Sequence, residues 1–119
     1  MSKVLIVDDD RSMVSLLTTL LQLDGFEVAF EARAAEVPNA VRREKPDVVL
    51  MDVHLADADG LEILANLRAD SELAKTRVIL ASGEDVSYQA QQARANDFIL
   101  KPYTPDQLAA ALKKVLAQP

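Results

Sequence analysis

Asp8 and Asp9 directly follow the apolar run Val4 to Val7, Asp52 follows Val48 to Met51, Ser82 follows Val78 to Ala81, and Lys101 with Pro102 follows Phe98 to Leu100. Reactive groups that each end an apolar segment are placed to converge at one edge of a sheet. Carboxylates gathered there repel one another, which costs stability unless a proton or a divalent cation compensates. Oxygen ligands without His or Cys favour Mg²⁺, or Mn²⁺ in its place, over zinc. A lysine supplies a point charge for phosphoryl oxygens, and a serine hydroxyl can donate to one of them. Asp52 would project from a rigid strand end, where it could attack phosphorus in line and form an acyl phosphate. These residue types point to phosphoryl transfer onto Asp52.

The groups can meet only if the apolar runs are neighbouring strands. Those runs, with a less regular one at Val28 to Ala32, are near-continuous in Val, Ile and Leu, as expected for strands covered on both faces. Helical patterns lie between them. Met13, Leu16, Leu17, Leu20 and Leu21 form one stripe with Gly25 as its stop, and Asp10 is read as an N-cap or a solvated residue. Asp59 with Glu62 and Thr104 with Gln107 have capping-box spacing, followed by stripes at Leu61, Leu64 and Leu67 and at Leu108, Leu112, Val115 and Leu116. Pro105 suits a first helical residue, whereas Pro38 delays the helix within Ala34 to Glu44. The alternation βαβαβαβαβα predicts an α/β fold, a doubly wound parallel sheet in the order 2-1-3-4-5 that binds ligands beyond the carboxyl ends of its strands.

With 119 residues, the chain is expected to form one domain, residues 1–119. Half of it is hydrophobic (50%) but only 4% aromatic, so the core should be aliphatic. The absence of cysteine excludes disulfides, thiolate zinc sites and a cysteine nucleophile. A net charge of −6 without a basic stripe argues against direct nucleic-acid binding. No apolar run reaches the roughly 18 residues of a membrane span, and no signal-peptide pattern opens the chain, so a cytoplasmic location without membrane contact is expected.

From Val4 to Leu116 the sequence resembles the CheY-like receiver domains of bacterial two-component response regulators. "VLIVDDD" resembles that family's first strand and acidic pair, "VVLMDVHLADADG" its phosphorylated aspartate and loop, "VILASG" its switch hydroxyl, and "FILKPY" its lysine and cis-proline. The resemblance implies a flavodoxin-like (βα)₅ sandwich. It makes Asp8, Asp9 and Asp52 the acidic metal ligands, with the His54 carbonyl beside them, and Asp52 the phosphoacceptor. Ser82 becomes the hydroxyl that moves toward the phosphoryl group, Phe98 its aromatic switch partner, and the bond before Pro102 a cis peptide. It also implies a sensor histidine kinase or phosphotransfer protein as donor, a downstream protein partner, and a phosphorylation-dependent dimer as one form of output.

Departures from the family pattern fall mainly in loops. Ala56 stands where proline is usual, and Arg94 and Ala95 lie where a glycine usually precedes the fifth strand. The stretch from Ser82 to Lys101 is roughly a helical turn short. With only small or scattered apolar residues such as Val86, Ala90 and Ala93, the fourth helix is predicted to be short and weakly packed.

Other readings of these residues are weaker. "DADG" at Asp57 to Gly60 lacks the acidic or amide residue at Leu55 and the Glu at Asn66 that a calcium loop needs, which leaves a turn and helix cap. His54 is the only histidine, and it is either incidental or, opposite Glu84, a modulator of water reaching the acyl phosphate. Tyr103 is read as packing or partner contact, and Lys113 with Lys114 as helix C-terminal charges. A haloacid dehalogenase-like hydrolase would place a second aspartate where His54 stands. A flavodoxin-like cofactor binder would need a Gly-rich loop after the first strand. The set of Asp9, Asp52, Ser82 and Lys101 argues against a pseudo-receiver.

Overall fold

The structure, a computed structural model, describes residues 2–119. Its elements are β1 (Lys3–Val7), α1 (Arg11–Leu23), β2 (Glu27–Glu31), a 3₁₀ turn (Ala34–Glu36), α2 (Val37–Glu44), β3 (Val48–Asp52), α3 (Gly60–Ala69), β4 (Val78–Ser82), α4 (Ser87–Gln92), β5 (Asp97–Leu100) and α5 (Pro105–Leu116). The sheet is parallel with the expected order β2-β1-β3-β4-β5. Alternate strand residues face opposite layers. Leu5, Val7, Val49, Met51 and Leu80 pack with α2 and α3, whereas Val4, Ile6, Leu50, Ile79 and Ala81 pack with α1 and α5.

Register sets the site. Val7 pairs with Met51, Asp52 with Ala81, and Ser82 with Leu100, so the residues beginning the β1, β3, β4 and β5 loops share one edge. The chain order reverses between β1 and β3, the switch point where such sheets bind ligands.

Helix ends follow local chemistry. The Asp10 carboxylate caps α1 by accepting from Met13 N, and Gly25, at φ 89°, ends it with Phe26 N donating to Leu21 O. Thr104 and Gln107 form the full capping box of α5, with Pro105 in its first turn. Asp59 caps α3 through Leu61 N, while among the described residues no hydrogen bond returns from Glu62. As Pro38 requires, α2 begins late, at Val37.

One stripe needs correction. The inward face of α1 is Val14, Leu17 and Leu21, whereas Leu16 is 54% exposed. The leucines span a wider arc than the helix can bury, and the spacing alone does not say which edge is left out. The irregular second run is β2, an edge strand with Phe30 57% exposed.

The fourth helix is short, as predicted, at 6 residues with Ala90 buried. Just past its C-cap, Ala93, stands Arg94, a non-glycine residue at φ 65°. Arg68, at the end of α3, holds this corner. Its Nε and Nη2 donate to Arg94 O at 3.1 and 2.8 Å, Nη1 to Ala74 O and Thr76 O at 3.1 and 2.6 Å, and Nη2 also to Asn96 Oδ1 at 3.1 Å. Every N–H of the guanidinium is used. Among the described residues no helix is long and apolar enough to cross a membrane.

Candidate functional site

Asp52 closes β3, and its side chain is held from both oxygens. Oδ2 lies 2.9 Å from Lys101 Nζ, and Oδ1 accepts from His54 N at 3.2 Å. Lys101 reaches the site from the end of β5 because its backbone N donates to Ser82 O at 2.8 Å, continuing the ladder one residue past the strand. The Lys101–Pro102 peptide is cis.

Asp8 is only 6% exposed, with Oδ1 accepting from Asp10 N at 2.9 Å and Oδ2 4.0 Å from Lys101 Nζ. Burial pushes its carboxyl above the usual carboxylate range, against the Asp10 N–H and Lys101, and the charges of Asp52 and Asp9 add to the rise. Burial is thus the main cause of the rise. Tyr103, in the loop after β5, registers the same field: burial first, then the charges of Asp8 and Asp52, push its phenol up to about 12.

Ser82 is fully buried, and its Oγ accepts from Glu84 N at 3.1 Å. Asp9 turns outward, where its Oδ2 accepts the backbone N–H of Ala56 in the loop after β3. The His54 and Glu84 side chains, 60% and 78% exposed, approach to 3.7 Å between Nε2 and Oε1. Phe98 pairs with Leu80, two rows inward from the Ser82–Leu100 row, and is half-buried against the core beneath α4. Asp8, Asp52 and Lys101 thus meet directly, Ser82 ends the adjacent strand, and Asp9 is engaged elsewhere.

Two backbone features of the site were invisible in residue types. The Ala56 N–H is one. The other is Gly60, whose N donates to Val53 O at 2.7 Å and where a Cβ would lie 2.5 Å from Asp52 O. Only glycine lets α3 begin so close to the strand end that carries Asp52. The glycine in "DADG" was the available signal.

Among the described residues no three His, Cys, Asp or Glu side chains form a ready-made metal cluster. The donor chemistry still fits a hard divalent cation. The available side-chain donors are carboxylate oxygens, and the buried Asp8 shares a single lysine with Asp52.

The response regulator receiver domain family matches residues 4–113. The transcriptional regulatory protein KdpE of Staphylococcus aureus is 32% identical over 114 residues, 96% of this chain and 49% of that protein. The chain thus spans about half the length of curated relatives of this kind. The BeF3-activated N-terminal receiver domain of Klebsiella pneumoniae RstA superposes with a TM-score of 0.89 at 29% identity, covering 98% of this chain and 100% of that one. The chemotaxis response regulator CheY4 of Vibrio cholerae gives 0.88 at 27% identity, covering 97% and 98%. A match that runs from β1 into α5, carrying every strand end of the site with it, makes the chain a member of the response regulator receiver domain family.

Proposed function

We propose that the chain takes a phosphoryl group onto Asp52 from a histidine kinase or phosphotransfer protein, in a Mg²⁺-dependent reaction, and so switches a surface read by a protein partner. The observation that carries this reading is the Asp52 carboxylate at a rigid strand end, 2.9 Å from Lys101 Nζ and beside the buried Asp8. In the transfer, an Asp52 carboxylate oxygen forms the new bond to phosphorus as the bond to the donor imidazole nitrogen breaks. The electron pair of that bond stays on the imidazole. Lys101 can then hold a phosphoryl oxygen as well as the acyl group.

Asp8, Asp9, Asp52 and the His54 carbonyl would hold Mg²⁺, or Mn²⁺, which supplies charge compensation to the phosphoryl oxygens. Ser82 is the switch hydroxyl. Turning its Oγ toward a phosphoryl oxygen gives up the bond from Glu84 N and frees the loop before α4, and Phe98 packs into the altered space. His54 and Glu84, close together and exposed, modulate how water reaches the acyl phosphate. The chain is a signalling phosphoacceptor rather than a turnover enzyme, formed as one domain and acting in the cytoplasm. Its output passes to a protein, or to a second phosphorylated copy, with no direct contact to nucleic acid or membrane.

Borohydride reduces an acyl phosphate to the alcohol, which marks the acceptor. After phosphorylation, the peptide carrying Asp52 should contain homoserine at that position. Reduction at another carboxylate, or none in protein shown to carry phosphate, would contradict the assignment.

A further inference from the structure

The loop after β3 is tied to itself and to β1. His54 and Asp59 form an antiparallel bridge, Leu55 N donates to Ala58 O at 3.1 Å, and His54 N donates to Asp52 Oδ1. The Ala56 N–H is left pointing out of this small loop, and it is this donor that takes Asp9 Oδ2. A hydrogen bond to a charged carboxylate is among the stronger ones. The carboxylate keeps further lone pairs, but this bond fixes its orientation toward the loop, and turning it to a metal would cost the bond. Proline at this position, the usual residue in the pattern the chain resembles, has no N–H to offer.

We propose that the Ala56 N–H competes with the metal ion for Asp9, so that metal binding draws the carboxylate away and leaves the Ala56 N–H without it. Ala56 is then a positioning residue that lowers metal affinity and couples it to the conformation of residues 54–59. This rests on the metal site proposed above. The free chain keeps Asp9 on the loop, and the metal-bound chain does not. Because His54 belongs to the same loop, metal binding also changes the setting of its side chain at the mouth of the site.

Two direct measurements on the intact chain test this. Mg²⁺ titration by calorimetry on the wild type and on Ala56→Pro should show tighter binding in the variant by about tenfold, the worth of a hydrogen bond to a charged group. Amide exchange followed by NMR needs no substitution: the Ala56 amide should be protected without Mg²⁺ and exchange faster at saturating Mg²⁺. Equal affinities together with an Ala56 amide indifferent to the metal would overturn the competition while leaving the metal site intact. If Ala56→Pro does not fold, the amide measurement decides. Absence of Mg²⁺ binding to both proteins at millimolar concentrations would overturn the metal site itself, and this inference with it.

Discussion

Lys101 Nζ stands 2.9 Å from Asp52 Oδ2 but 4.0 Å from Asp8 Oδ2. The lysine thus sits against the carboxylate proposed to be modified and leaves the more buried acid with less compensation.

Lys101→Ala should accordingly remain folded and slow phosphoryl uptake from a small donor about a hundredfold, the scale of losing one group that stabilises transition-state charge. Initial rates at fixed Mg²⁺ would measure this. A rate within a factor of about two of the wild type would remove Lys101 from the reaction.

Gly60→Ala would place a Cβ 2.5 Å from the Asp52 carbonyl oxygen, and neither backbone can yield without moving α3 away from β3. A loss of about 1–3 kcal/mol in unfolding free energy is expected from such overpacking. Urea unfolding measures it, and an unchanged midpoint would show that the helix start is free to shift.

The α4–β5 corner gives two opposite expectations. Arg94→Gly relieves a side chain held at φ 65° while keeping the carbonyl that Arg68 binds, and should stabilise by about 0.5–1 kcal/mol. Arg68→Met leaves the carbonyls of Ala74, Thr76 and Arg94 without these donors and should cost about 2–3 kcal/mol. Thermal unfolding of both variants would show the signs, and a destabilised Arg94→Gly would contradict the strain argument.

Tyr103 supplies the pH dependence. Its phenol is raised from 10.0 to about 12, so the folded chain holds the proton longer than the unfolded chain does. The neutral ring's contribution to stability is complete below about pH 10 and is lost as pH rises from there through about 12. Phenolate absorbance should show one late-titrating tyrosine, absent in Tyr103→Phe, whose stability should fall less steeply across that window. A Tyr103 that ionises with the unfolded tyrosines would remove the effect.

Much of the fold was legible because β1, β3 and β4 are interior strands covered on both faces, so their apolar runs are unbroken. The edge strand β2 was less so, since Phe30 faces solvent. The site was legible through Asp8, Asp52, Ser82 and Lys101 because each ends a strand or follows one directly, and parallel register brings strand ends together. Arg68 and Ala56 were not legible. The partners of Arg68 are backbone carbonyls and an amide supplied by distant segments, and the contribution of Ala56 is a backbone N–H common to nearly every residue type. Leu16 misled because periodicity identifies a helix face without marking the edge at which its burial stops.

The central claim is metal-dependent phosphorylation of Asp52, and intact mass after incubation with acetyl phosphate tests it most directly. The wild type should gain one phosphoryl group with Mg²⁺ and none after chelation, and Asp52→Asn should gain none in either case. A wild type that stays unmodified under every condition, or an Asp52→Asn variant that gains the same mass, would contradict it.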